Sequence, residues 1–372
     1  MFSVRIANAV FAIICGIVTI CTPALAQDAG ESLAETHGGE IRAGIWFNSD
    51  VGPQANFTLL RPQFLASSAT FRLGFDVNRY EAGVAAGLSV TDAFGTGWSQ
   101  DVTLRSYSAK ARPALASDVT YSGADVAWLF GKELDGGVSL KVGPGYQIIH
   151  VDPTSDLPQA IAQDIAVSGA ISHGGFITLQ AALNRVEPVS FPSQGFRVAG
   201  GLEAGRLGAT SYSKLTLSGE VYGRIASSTA VRAHARFARG FSSGENAFPV
   251  FKNFTSAGMS DLRGFAAGGI GPVSTTTTSL KNSHVGGSAA FFAGVEVARP
   301  IRADEKLALL GFVDVGAITN GSDVMSDLSQ SIGIGLRWES PVGPLNLAVS
   351  KPIEKKATDL TETMQVSFGL TF

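Results

Sequence analysis

Few residues of this chain have the type and spacing that catalysis requires. Residues 240–244 (Gly-Phe-Ser-Ser-Gly) match the GxSxG pattern of a serine nucleophile. That nucleophile needs a strand, a sharp turn and a helix, with an acid and a histidine placed by the fold, and here no helical pattern follows. We therefore predict no enzyme activity, cofactor or metal site. The histidines show no metal-ligand spacing: His37, His150, His173, His234 and His284.

Charged side chains are the remaining candidates, because several fall on one face of an alternating segment. Apolar residues occupy every second position in 289–297 and 307–315, and Glu296 and Asp314 lie between them. In a strand this spacing separates an apolar face from a polar face. Charged groups are costly toward hydrocarbon and cheap toward water. The pattern predicts one face toward lipid and one toward a lumen, where such groups could bind a partner.

The elements that must position these residues are strands. The segments around 332–338, 345–349 and 364–372 repeat the same alternation. The segment 231–239 places Arg232, His234 and Arg236 on one predicted lumenal face. The other predicted strands are 40–48, 69–78, 81–91, 98–107, 122–131, 135–149, 164–173, 175–186, 196–205 and 213–222, with 54–66 and 112–120 as doubtful extras.

The ends and the composition give these strands a setting. Residues 1–26 combine a cation, a short apolar core and small residues before Gln27, as a secretory signal peptide does. Both cysteines fall inside it. The chain is 45% hydrophobic, only 16% charged and has a formal net charge of −3, which argues against nucleic-acid binding. No second run of eighteen apolar residues occurs, so we expect an all-β, antiparallel transmembrane barrel of sixteen strands over residues 40–372.

A long segment, 241–285, interrupts the strands and contains Asp261-Leu262-Arg263-Gly264-Phe265. This segment resembles the VRGF motif of the sixth extracellular loop in the BamA/TamA/FhaC superfamily of outer-membrane insertases and translocators. Further motifs similar to that family occur in the family's order at 191–195 (FPSQG), 311–316 (GFVDVG) and 338–345 (WESPVGPL). The resemblance covers residues 187–372.

The resemblance implies that the sixth loop folds back into the barrel and that Arg263 pairs with Asp314. Gly264, Phe265 and Phe312 belong to the same motifs. The predicted strand faces agree, because they place Phe312 and Asp314 toward the lumen, where a guanidinium can bind a carboxylate bidentately. Glu296 is a possible second acceptor. The alternative is that Arg263 is a solvated loop residue.

The function implied is protein assembly or translocation in the bacterial outer membrane, and the alternative is a passive or structural barrel. Insertases and translocators of the family carry POTRA domains before the barrel, and residues 27–39, which we predict to form only a short periplasmic tail, are too few for one. We therefore expect a POTRA-bearing partner or a homo-oligomer, alongside outer-membrane lipid. The end of the chain resembles the signal read by the host barrel-assembly machinery, which would recognise Phe368, Leu370 and Phe372.

Overall fold

Alternating strands of the chain close into an antiparallel barrel, as the sequence predicted. The computed structural model describes residues 39–110, 119–154, 156–187, 193–226, 229–243, 246–301, 306–321, 323–325, 327–341 and 343–371. Within these residues the barrel has sixteen strands. They are β1 Glu40–Asn48, β2 Gly52–Pro62, β3 Ala69–Asn78, β4 Glu81–Val90, β5 Ser99–Lys110, β6 Thr120–Leu134, β7 Val138–Asp152, β8 Ile171–Glu187, β9 Gln194–Leu207, β10 Thr210–Ala226, β11 Thr229–Ser243, β12 Ala289–Pro300, β13 Leu307–Thr319, β14 Ser329–Ser340, β15 Gly343–Glu354 and β16 Met364–Thr371.

Each strand pairs with its neighbours in the chain, and β1 pairs with β16 to close the barrel. We call this last pairing the seam. Its register joins residues 44–48 to residues 367–371, whereas β1 pairs with β2 along its full length, from residue 40 to residue 48. On its other side, β16 pairs with β15 through residues 364–368. The last strand is therefore held by short ladders on both sides.

The two faces of the strands differ in polarity as the alternation predicted. On β14, Ile332 and Ile334 are 47% and 70% exposed on the outer surface, while the neighbouring inward residue Ser331 is fully buried. On β13, Val313 points outward, whereas Asp314 is buried. The outer surface is the hydrocarbon-facing side of the barrel, and the polar groups line the lumen.

The two rims of the barrel differ in the length of their connections. The near rim, where β1 begins and β16 ends, has short connections such as the turn at 135–137. The far rim carries the longest connections, 153–170 and 244–288. Bacterial outer-membrane barrels place short turns in the periplasm and longer loops outside, so the far rim is the extracellular one.

The connection at 153–170 contains the main correction to the sequence prediction. It folds as helix α1, Gln159–Ser168, where a strand was predicted at 164–173. Ile161 and Ile165 lie one helical turn apart and pack on a buried cluster with Leu157, and Gly169, at a φ of +82°, ends the helix before β8. The doubtful segment 54–66 is a true strand, β2, so the count of sixteen is confirmed although one member was wrong.

The other predicted boundaries differ less. Most of the doubtful strand 112–120 and all of residues 1–38, including the predicted signal peptide, lie outside the described residues. The shorter helices are 3-10 turns at Ala93–Gly95, Val250–Lys252 and Gly258–Ser260. In the part of the chain that is described, no helix has the length and apolarity to cross a membrane.

Part of the sixth loop, which connects β11 to β12, lies in the lumen beside β11, β12 and β13. Its Leu262 and Phe265 are fully buried and pack with Phe292 and Ile318 of the barrel wall. Gly264–Phe265 forms a short antiparallel pair with Thr361–Glu362, just before β16, and Val273–Thr275 pairs with Asn282–His284 within the loop. The apolar core of this barrel is therefore made by the loop and the wall together.

We expect the folded barrel to migrate differently from the unfolded chain in SDS gels. Closure by the seam leaves no strand edge at which detergent could begin to unpair the sheet, so unheated protein should keep its barrel and boiled protein should not. Comparison of unboiled and boiled samples of purified outer membranes measures this difference. Identical migration of the two samples would contradict a closed barrel.

Candidate functional site

The centre of the site is Arg263, which the sixth loop delivers to the wall of the lumen. Leu262 and Phe265 are buried on the loop side, and this anchoring leaves the intervening Arg263 directed at β12 and β13. Gly264 has a φ of +90°, a conformation that glycine adopts without the strain of a side chain. A Cβ there would meet Ser350 at 3.2 Å. The glycine therefore permits both the turn and the close approach of the loop to the wall.

The guanidinium of Arg263 binds two carboxylates of the wall. Its Nε and Nη2 donate to Oδ2 and Oδ1 of Asp314 at 2.6 and 2.9 Å. Its Nη1 donates to Oε2 of Glu296 at 2.6 Å. The arginine side chain is 8% exposed, that of Glu296 2% and that of Asp314 1%. Charge-assisted, bidentate hydrogen bonds of this kind are among the strongest in proteins.

Phe312 forms the floor under this ion pair. The guanidinium carbon of Arg263 lies 3.5 Å from the centroid of the Phe312 ring, close enough for a cation–π interaction. The ring occupies space that Gly333 of β14 leaves open, because a Cβ on Gly333 would collide with its edge. Phe312 therefore adds to the attraction that the carboxylates exert on Arg263, and Gly333 leaves the space that the Phe312 ring occupies.

A second arginine balances the charge of the cluster. Nη2 of Arg337 on β14 donates to Oε1 of Glu296 at 2.8 Å, so Glu296 lies between two guanidinium groups. Arg263, Arg337, Glu296 and Asp314 together carry no net charge. Buried charges are tolerated when they are paired and hydrogen-bonded, and this cluster meets both conditions.

The backbone next to Arg263 is held by the last strand of the barrel. Gln365 of β16 is fully buried. Its Oε1 accepts from the Gly264 amide at 2.9 Å, and its Nε2 donates to the Phe265 carbonyl at 3.1 Å and to Oδ1 of Asp50 at 3.2 Å. Oδ2 of Asp50 accepts from the Met259 amide at 2.9 Å. One glutamine thus joins the sixth loop, the seam strand β16 and the β1–β2 turn.

Burial and hydrogen bonding shift the pKa values of several aspartates in the connections between strands. Burial raises the pKa of Asp50 to about 6, an effect that its hydrogen bonds from Met259 and Gln365 only partly offset. Burial likewise raises the pKa of Asp261, although Arg236 lies 2.5 Å away. Hydrogen bonds from the side chain and backbone of Ser279 lower the pKa of Asp156 to about 2.

The outer part of the sixth loop is tied to α1 and the segment before it. Asp156 accepts hydrogen bonds from the amides of Thr278 and Ser279 at 2.9 Å. The Ala160 amide at the first turn of α1 donates to Oγ of Ser274 at 2.9 Å. The loop is therefore attached at two places: Arg263 binds the barrel wall, and the outer part of the loop binds the extracellular connection that contains α1.

The structure brings together all six residues of the predicted loop-to-wall contact. Arg263 contacts Asp314, Glu296 and Phe312 at once, so the two candidate acceptors are not alternatives. Of the predicted assembly signal, Phe368 and Leu370 lie in β16, while Phe372 lies outside the described residues. No group of three or more potential metal-ligating side chains occurs in the described part of the chain.

The barrel matches a known protein family. Residues 40–372 match the model described as the Omp85 superfamily domain, which covers the whole barrel. The chain belongs to the Omp85 superfamily. Like other Omp85 proteins of this type, this protein lies in the bacterial outer membrane.

Sequence relatives of this Omp85 barrel are named outer membrane protein assembly factor BamA. The relative from Nitratidesulfovibrio vulgaris is 26% identical over 151 residues, which span 40% of this chain and 19% of the relative. The relative from Neorickettsia risticii is 33% identical over 121 residues, spanning 30% of this chain and 15% of the relative. The chain thus aligns with less than a fifth of the length of these relatives.

Solved structures show the same fold. The barrel superposes on BamA from Haemophilus ducreyi lacking POTRA domains 1–3 with a TM-score of 0.80 at 20% identity, covering 91% of this chain and 71% of that one. CdiB from Escherichia coli gives a TM-score of 0.57 at 12% identity, covering 92% and 64%. At these identities the likeness concerns the fold alone.

Three further residues belong to the site although the sequence did not predict them as site residues. The alternation of their strands places Gln365 and Arg337 on the lumenal side, but it does not give their partners. Asp50 lies in a three-residue turn, where an acidic residue is ordinary. Only the folded loop shows that these residues meet it.

Proposed function

We propose that this Omp85 barrel assembles or translocates other proteins at the outer membrane, with the seam as the part that opens and the sixth loop as the brace that controls it. The observation that supports this function is the direct hydrogen bonding between the sixth loop and the last strand, β16. Gln365 of β16 binds the loop on both sides of the Gly264–Phe265 peptide. A change in the loop therefore acts on β16 without any intermediate element.

The geometry of the seam supports the same proposal. Residues 367–371 of β16 pair with 44–48 of β1, while longer ladders, such as that joining residues 229–243 of β11 to β10, hold other parts of the wall. Local opening occurs where the fewest backbone hydrogen bonds and buried contacts must be broken. Separation of β1 and β16 would expose two strand edges, and an unpaired edge is a template for adding another strand.

The contents of the lumen distinguish this proposal from a passive channel. The buried cluster of Leu262, Phe265 and Ile270 occupies the interior beside β12 and β13, where an open pore would carry water. The Arg263 contact holds that cluster in place. A passive or structural barrel is the alternative function, and it is one of the outcomes of the test described below.

Export and partners belong to the same proposal. We propose residues 1–26 as the export signal, Phe368, Leu370 and Phe372 as the signal for insertion by the host assembly machinery, and outer-membrane lipid as the solvent of the barrel. A POTRA-bearing protein or a second copy of this chain would act as its partner. Crosslinking in outer membranes, followed by purification of the chain, would identify that partner.

A disulfide across the seam should block the proposed activity. Phe47 and Phe368 face each other in the seam register, and directly opposed residues of antiparallel strands are close enough for such a bridge. Wild-type protein in proteoliposomes should accelerate the folding of an added outer-membrane protein. We expect oxidised Phe47→Cys/Phe368→Cys to lose at least 90% of this acceleration, which is a reduction of about tenfold or more. Reduction should restore the rate.

The matched control is a second phenylalanine pair. Phe57 and Phe75 face each other between β2 and β3, so Phe57→Cys/Phe75→Cys introduces the same bridge between two strands that need not separate. We expect this variant to keep its activity when oxidised. If oxidised seam and control variants are equally active, the seam does not open. If no variant and no wild-type protein accelerates folding, but all pass small solutes, the barrel is a passive channel.

A further inference from the structure

An apolar groove crosses the outer surface of the barrel over β12, β13, β14 and β15. It is shallow and open, has a volume of about 880 Å³, and is lined by outward side chains, among them Val295, Val297, Ile332, Ile334 and Val349. These residues are 38–70% exposed among the residues that the structure describes, so the groove is open to the outside of the barrel. The groove lies on the surface that contacts lipid.

The groove exists because one outward position of β13 carries no side chain. Gly311 lies in register between Val297 of β12 and Ile334 of β14. A Cβ on Gly311 would meet no atom within 4 Å, so neither packing nor backbone geometry requires glycine there. The missing side chain leaves a gap between branched apolar residues of β12 and β14, and an apolar gap on the lipid face is filled by hydrocarbon.

A cation stands at one end of this groove. Lys351 lines it and is exposed between Val349 and the outward Ile353 of β15. The structure gives Lys351 no hydrogen bond or ion pair with any residue that it describes. A lysine on the lipid face of a barrel is destabilising unless it reaches the interface or meets an anion.

The position of Lys351 selects the leaflet. β15 runs from the near rim at Gly343 to the far rim at Glu354, so Lys351 lies in the extracellular half of the barrel. An anion beside it would belong to a lipid headgroup of the outer leaflet. The acyl chain of the same lipid would then point toward the membrane interior, along the groove floored by Gly311.

We propose that this groove is a binding site for one anionic lipid of the outer leaflet, with a phosphate of its headgroup on Lys351 and an acyl chain over Gly311. The site lies on the outside of the wall that carries Asp314 and Glu296. Its occupancy does not depend on whether the seam opens.

Native mass spectrometry of the detergent-purified full chain tests this site. The probes are dioleoyl phosphatidylglycerol and dioleoyl phosphatidylcholine, which have the same acyl chains but differ in net charge. We expect the wild type to bind one phosphatidylglycerol with about fivefold preference, the factor expected from one interfacial lysine. Lys351→Gln should remove the preference and keep the residual binding.

Two glycine variants test the groove separately from the charge. Gly311→Val fills it and should lower the binding of both lipids. Gly223→Val adds the same side chain at an outward glycine of β10 where a Cβ also meets nothing within 4 Å, and should change neither. Heat-dependent gel migration confirms that each variant is folded.

Three results would overturn the site. The first is an unchanged lipid preference in Lys351→Gln, and the second is equal binding by Gly311→Val and Gly223→Val. The third is competition by inorganic phosphate at the lipid concentration, because it would show an ion site that needs no acyl chain.

Discussion

Arg263→Ala is expected to release the sixth loop from the lumen. The substitution leaves Asp314 buried beside Phe312 without its bidentate partner, while Glu296 keeps Arg337. Removal of one partner from a buried ion pair costs roughly 3–5 kcal/mol. We therefore expect the open-loop population to rise at least a hundredfold, since every 1.4 kcal/mol is about a factor of ten.

The partner substitution should be milder. In Asp314→Ala, Arg263 still has Glu296 at 2.6 Å, so its charge is not stranded. The double variant Arg263→Ala/Asp314→Ala removes the stranded carboxylate as well, and we expect it to be no worse than Arg263→Ala alone. This non-additivity is the signature of a direct interaction. Arg263→Lys should recover only part of the loss, because an ammonium cannot form the planar three-point contact.

Chymotrypsin cleavage of the loop in intact barrels measures this population, because proteolysis follows the open fraction when opening is fast, and the protease does not cut at the substituted arginine. The matched control is Lys141→Ala, which removes another lumenal cation. Lys141 is 42% exposed and pairs with Asp101 on the opposite part of the wall, so its loss should cost under about 1 kcal/mol. Additive effects in the Arg263 cycle would show that the contact does not hold the loop.

The sequence predicts the barrel well because lipid imposes one rule on every strand. Hydrocarbon penalises a charged group wherever it faces outward, so the outward Ile332 and Ile334 and the inward Ser331 were set by their types alone. The same rule put Asp314 and Glu296 in the lumen. The pairing of Arg263 with Asp314 then followed from the family resemblance. Alternation predicts which strand residues point into the lumen, but it does not predict which loop residue contacts them.

The misread segments show where this rule ends. Ile165, Val167 and Ile171 alternate across Gly169, yet 159–168 is a helix, because it lies on the extracellular connection, where lipid does not select the face and Ile161 and Ile165 pack on Leu157 instead. The roles of Gln365 and Asp50 depend on the path of a long loop that meets both ends of the chain. Local pattern carries no information on such a path.

Asp50→Asn is expected to abolish a pH dependence of the contact between the seam and the sixth loop. The pKa of Asp50 is raised to about 6 by burial, and the nearby charge of Glu362 adds to this shift. The folded state therefore binds a proton that the unfolded chain, with an ordinary carboxyl pKa, releases. The stability contributed by this group is present at low pH and is lost as pH rises through about 6.

Between pH 7.5 and pH 5 the wild type should gain roughly 1 kcal/mol of unfolding free energy from Asp50. Asparagine keeps an oxygen that can accept from the Met259 amide and carries no charge at either pH, so Asp50→Asn should resemble the protonated wild type throughout. Asp261 also has a raised pKa and contributes in the same direction in both proteins, so the difference between their pH slopes isolates Asp50. Urea titrations of the barrel in detergent at the two pH values give the slopes. Equal slopes would mean that Asp50 is already solvated when the seam is closed, and the link from the β1–β2 turn through Gln365 to the loop would then carry no charge dependence.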